Sequence, residues 1–121
     1  MIKAGAIITA MAAAAVLVTA NPPAARAANF DGQWSVTIFT SAGDCPSSLR
    51  YSVHVVRGRV MGDDPSYVVN GSVAGSGATR VTVSEKGKSA SGSGVLRGNT
   101  GSGRWRTSTG QCAGMWTAER R

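Results

Sequence analysis

The sequence predicts an all-β domain, a small antiparallel up-and-down β-barrel of about eight strands with one disulfide. Three observations carry this. Apolar and polar residues alternate along the chain after its first quarter, and no stretch there repeats with a helical period. Glycine-rich turns recur every ten or so residues. Glycine, any residue and then a large apolar residue recur at Gly32-Gln33-Trp34, Gly58-Arg59-Val60, Gly71-Ser72-Val73, Gly94-Val95-Leu96, Gly103-Arg104-Trp105 and Gly114-Met115-Trp116. Residues i and i+2 of a strand share a face. Each of these glycines therefore removes a side chain from the face that its large neighbour occupies, which makes room inside a sharply curved sheet.

The elements follow in order. Residues 1–27 read as a signal peptide. Lys3 supplies a positive start, Ala4–Ala20 is an apolar alanine-rich run, and Ala25-Arg26-Ala27 is a small-residue cleavage site. A membrane anchor is the competing reading of that run, but it is weakly hydrophobic and breaks at Asn21-Pro22-Pro23. No second apolar stretch follows, so a cleaved product has no membrane span and is secreted or periplasmic. Residues 28–121 are then one domain. Trp34, Val36 and Ile38 share the inner face of the first strand, and Tyr51, Val53 and Val55 that of the second. Val60 marks a short strand ended by Gly62-Asp63-Asp64-Pro65. Val69, Gly71 and Val73 follow. Asn70-Gly71 is also a hairpin signal, but turning there leaves arms too short, so it is kept inside a strand. Val81 and Val83 precede a turn at Glu85-Lys86-Gly87-Lys88. Gly92, Gly94 and Leu96 run to a turn at Gly98-Asn99, and Gly101, Gly103 and Trp105 to one at Ser108-Thr109-Gly110. Gly114, Trp116 and Ala118 end the chain. Ser89–Gly103 is rich in Ser and Gly, but its large apolar residues return in phase with the glycines, which sets it apart from low-complexity disorder.

A domain this small gains from a staple. The two cysteines, Cys45 and Cys112, are expected to form a disulfide in an oxidising compartment. Neither has a histidine or second cysteine near it in sequence, as a metal site requires. Closing so long a loop is worth about 4 kcal/mol on the chain-entropy account. Trp34, Trp105 and Trp116 fall on neighbouring strands once the sheet closes, and are expected to plug a filled core.

Two sets of residues carry a resemblance. At Asp31-Gly32-Gln33-Trp34, with G-x-W repeated toward the C-terminus, the chain resembles the calycin superfamily. Avidin-like barrels and periplasmic inhibitors of bacterial secreted metalloproteases open their first strand in the same way. In lipocalin-type members an arginine near the end of the last strand stacks over that tryptophan, and the resemblance gives this role to Arg120 over Trp34. The biotin-contacting pattern of avidins is missing, and a Cys45–Cys112 bridge departs from the local disulfide of the protease inhibitors. Over the whole chain, Phe30-Asp31-Gly32-Gln33-Trp34 and the Gly114–Arg121 ending are similar to small exported proteins of rhizobial-type bacteria. Some of these carry a haem-utilisation or adhesion label.

Chemistry is sparse. His54, the one histidine, lies on the Ser52/Val56 face and points outward. No serine or cysteine pairs with a histidine and a carboxylate at a recognisable spacing. Asp63-Asp64 before a proline reads as turn chemistry, with too few oxygens for a hard cation. These features argue against an enzyme. Haem needs an axial donor, and His54, Met61 and Met115 are the candidates besides the tyrosines; no cofactor is expected. The chain carries a formal charge of +7. By strand parity Arg80, Lys86, Arg97, Arg104 and Arg106 face outward on adjacent strands, a basic surface patch partly offset by Glu85 and Glu119. No exposed aromatics interleave with these arginines, so sequence-specific nucleic-acid binding is not expected. The expected function is a secreted, non-enzymatic binding protein. It would engage an acidic macromolecule or protein partner at the cell envelope or outside, as a polyanion binder or an inhibitor. The alternative is a carrier of a small apolar ligand or haem at the barrel mouth.

Overall fold

A computed structural model describes residues 29–121 of the chain. The expected leader, residues 1–27, lies outside the described residues. Eight strands follow one another: β1 (Gly32–Ala42), β2 (Ser48–Val56), β3 (Arg59–Gly62), β4 (Val68–Val73), β5 (Ala78–Glu85), β6 (Lys88–Arg97), β7 (Thr100–Thr107) and β8 (Ala113–Arg120). Each pairs antiparallel with the next, and β8 returns to β1, so the sheet is a closed up-and-down barrel. Closure removes the exposed edges that an open sheet would present. Asn70-Gly71 lies inside β4.

The shortest turns set the register. Arg57 and Gly58 have φ of 52° and 79°, and Lys86 and Gly87 have the same pair of values. Positive φ at both central residues is the type I′ hairpin, whose twist matches the strands it joins. That locks β2 to β3 and β5 to β6 in fixed phase. The barrel has two ends. The start of β1, the end of β8 and the β2–β3, β4–β5 and β6–β7 turns lie at one, here called the terminal end. The Cys45–Cys112 disulfide lies at the other, joining the β1–β2 loop to the β7–β8 loop across 67 residues of sequence. The bridge thus staples the seam where the first and last strands meet, and it is consistent with an extracellular or periplasmic location.

Packing is uneven along the axis. Phe30, Trp34, Val55, Val60, Val73, Leu96 and Ala118 are buried and fill the terminal half. Val36, Ile38, Tyr51, Val81, Val83 and Ala90 face the same interior farther up, yet are only partly buried. The filled core expected from the sequence is therefore only half right: packing is tight at the terminal end, and a cavity bounded below by Val55, Val60, Val73, Leu96 and Ala118 opens toward the disulfide end. The tryptophans explain why. Trp116 lies in a notch on the wall, where an added Cβ at Gly94 or Gly103 would come within 2.6 Å of its indole. Trp105 sits opposite Gly114 on β8, and its Nε1 reaches on to donate to the Phe39 carbonyl of β1 at 3.0 Å. Both rings fill notches in the barrel wall and leave the lumen beyond them open.

At the terminal end Arg120 acts as a clasp. Its guanidinium lies 5.1 Å from the centre of the Trp34 ring. It also donates to the carbonyls of Asn29, Asp31 and Gly98 and to Asn99 Oδ1 at 2.8–3.2 Å. One side chain thus ties the segment before β1, the β6–β7 turn and β8 together. Trp34 itself is 1% exposed, and its Nε1 donates to the Phe30 carbonyl.

Two measurements follow. Arg120→Ala should lower the melting midpoint by about 10 °C, and Arg120→Lys should recover less than half of that, because an ammonium lacks the planar fork. Gly94→Ala should cost about 1–3 kcal/mol or more, because the added Cβ overpacks against the Ser102 carbonyl and Trp116. Gly92→Ala, whose Cβ would meet the same ring at an ordinary 3.4 Å, should melt close to the parent.

Candidate functional site

The hollow end is a cavity of about 470 Å³ that opens beside the disulfide. Alternation along the strands builds it: Val36 and Ile38 of β1, Val53 of β2, Val69 of β4, Val81 and Val83 of β5 and Ala90 of β6 line its wall. Trp34 and Trp116 also line it. The wall is predominantly aliphatic, and polar groups gather toward the mouth. There Thr40, Pro46, Leu49, Tyr51, Glu85, Lys86 and Lys88 surround the opening. The lumen is the inside of an eight-stranded barrel, a size that accommodates one small ligand. Outside, the strands carry hydroxyls and arginines interspersed with exposed apolar residues such as Phe39, Val56, Met61, Val95 and Met115.

Tyr51 is the principal polar element within the lumen. Its ring meets Tyr67 edge-on, with centres 4.9 Å apart, and its O–H donates to Glu85 Oε1 at 3.4 Å. Burial, followed by the charge of Glu85, raises the pKa of the phenol, so Tyr51 stays a neutral donor. Glu85 was expected on the outer wall as a counter-charge to the arginines. Its parity is that of Val81 and Val83, so it turns into the mouth instead. Its position next to a turn concealed that phase.

A second polar cluster sits on the outside. Asp63 accepts hydrogen bonds from Gln33 Nε2 at 2.7 Å, from Ser52 Oγ at 2.9 Å and from His54 Nδ1. Gln33 is paired with His54 across β1 and β2, and the loop after β3 folds Asp63 back onto them. Tyr67 Oη donates to the Ser52 carbonyl at 2.7 Å and holds that loop from its other side. Desolvation pushes the Asp63 pKa up, but the three donors and the nearby imidazole outweigh it, and the carboxyl is held below the ordinary carboxylate value. Ser52 donates to Asp63 rather than to His54, so the histidine is not placed to deprotonate it. The cluster is a clasp for the loop. In sequence Asp63 has the character of a turn residue, and the one trace of the clasp is the outward parity shared by Ser52 and His54, a short strand ahead of it.

The five cations expected to share one wall divide into groups. Arg80 and Arg104 lie in one cross-strand row with Ser93 between them, and Arg106 is two residues beyond Arg104. Lys86 belongs to the β5–β6 turn at the cavity mouth, and Arg97 to the opposite end beside the β6–β7 turn. Parity fixes which face a side chain takes, but height along the barrel also depends on register. His54, Met61 and Met115, the candidate haem donors, all sit on the outer face, and none lines the cavity.

No family model matches the chain, and no match was found among curated proteins or solved structures.

The Asp63 clasp sets a pH dependence. A carboxyl whose folded pKa is depressed adds stability above its unfolded pKa, and that stability is lost as pH falls through the folded value. Asp63→Asn should therefore melt lower than the parent near neutral pH, and the gap should narrow on acidification. Melting midpoints recorded between about pH 7 and pH 3 check this.

Proposed function

We propose that this protein is a non-enzymatic binding protein of an oxidising, extracytoplasmic compartment that carries one small apolar molecule in its barrel. The observation that carries the reading is the open aliphatic cavity of about 470 Å³ at the disulfide end. Ligand pockets span about 300–1,000 Å³ and combine apolar walls with a few placed polar groups. Here those polar groups are Tyr51 and Glu85, with Lys86 and Lys88 on the rim. An elongated apolar ligand would lie along the valines with any polar head at this mouth. The disulfide holds two of the loops around the opening, which lowers the ordering cost of binding.

Haem is a poorer fit than a simple apolar ligand. It needs an axial donor, and among the described residues only Tyr51 offers one inside the cavity. Its O–H is already committed to Glu85.

Native and denaturing mass spectra of protein taken directly from an exporting cell test the proposal. The expected result is an additional mass that disappears on denaturation. A change in tryptophan emission on titration with a long-chain alcohol, with Val83→Phe as the comparison, provides the second arm. The variant narrows the lumen, so it should abolish binding while melting within a few degrees of the parent. A bare mass together with an unchanged emission would remove the carrier reading.

A further inference from the structure

The outward face of β5 to β8 carries a second concentration of polar and charged side chains, on the opposite side of the wall from the cavity. It forms a shallow groove of about 1010 Å³. Its floor is small and hydroxylated, with Thr82 on β5 and Ser91 and Ser93 on β6. Arginines stand on both sides, Arg80 on β5 and Arg104 and Arg106 on β7. Arg104 and Arg106 are two residues apart on one strand, so their Cα atoms are about 7 Å apart, and Arg80 stands two strands away at about 10 Å. No carboxylate lines the groove. Among the described residues the sole ion pair is His54–Asp63, so these three arginines have no acidic partner within the protein. Next to them Met115 on β8 is paired with Phe39 on β1, and both are exposed, 54% and 44%.

We propose that this face binds an acidic polysaccharide. The parts match the chemistry of such a chain. Its carboxylates or sulfates meet planar guanidinium forks, which favour bidentate pairing. Sugar hydroxyls meet Thr82, Ser91 and Ser93, and the C–H face of a ring rests on the Phe39–Met115 platform. A single-stranded nucleic acid fits less well, because stacking needs several exposed aromatics and this face offers Phe39 alone.

Isothermal titration of the whole protein tests this, with polygalacturonate and dextran sulfate as the acidic probes. Neutral dextran and a thymidine oligonucleotide serve as comparisons. Either acidic probe should bind, and its affinity should fall as salt is raised, while neutral dextran does not bind. The double variant Arg104→Ala/Arg106→Ala should lose about tenfold or more in affinity, and Arg80→Ala about threefold. Arg97→Ala, a cation outside the groove, should change it by less than about twofold. Phe39→Ala should weaken binding without altering its salt dependence. All these positions are exposed, so unchanged melting midpoints establish that the variants remain folded. The proposal is overturned if Arg97→Ala weakens binding as much as the groove variants do, which would mean diffuse charge attraction. Equal or tighter binding of the oligonucleotide, or no binding of either acidic probe at low salt, also overturns it. Val83→Phe should leave polysaccharide binding intact, so the two sites fail or stand separately.

Discussion

The pairing of β1 with β8 is the contact on which the whole barrel depends. It joins the two ends of the domain in sequence, so the largest loop-closure cost of the fold falls there. Without it the sheet would open, leaving two raw edges and an uncovered apolar interior. The seam is secured at both of its ends by different means. At one end a covalent bridge joins Cys45 to Cys112. At the other, Arg120 holds Trp34, the segment before β1 and the β6–β7 turn at once. The covalent end can leave its interior unfilled because the bridge limits how far the loops separate. The Arg120 end has no such bridge and is the more tightly packed of the two.

That division explains where stability is given up. Val36, Val81 and Val83 pack against the core on one side and line open space on the other, so each forgoes some of the dispersion contacts that a filled core would provide. A ligand in the cavity would restore them and raise stability by mass action. The terminal half, with Trp34 fully buried, contributes close packing that does not depend on whether the cavity is occupied.

Much of the fold was legible because the barrel follows strict period-two alternation. Trp34-Val36-Ile38, Val81-Val83 and the glycine-apolar repeats each point to one face, and the turn glycines give their own positions. The cavity was not legible. Deciding whether three indoles block a lumen requires knowing where each ring lies, and Trp105 and Trp116 turn along the wall into spaces above Gly114, Gly94 and Gly103. The Asp63 clasp was missed for a related reason. It depends on a loop folding back across two strands, which parity does not report. The arginine group was read as too large because parity gives the face of Lys86 and Arg97 but not their height on the barrel.

One strand shows how tightly the two proposed sites depend on the same register. Along β5, Arg80 and Thr82 belong to the outer groove, and Val81 and Val83 to the cavity wall. A slip of one residue would exchange the two sets, driving a guanidinium into an aliphatic lumen and exposing two valines. Its cost is that of an unpaired buried charge, several kcal/mol at least, which makes the slipped form inaccessible. The type I′ turn at Lys86-Gly87 enforces the same choice locally, since it fixes how β6 meets β5. The residues that set the register therefore set both surfaces at once. Variants of the Lys86-Gly87 turn act on the two sites together, whereas those at Val83 or Arg104 act on one alone.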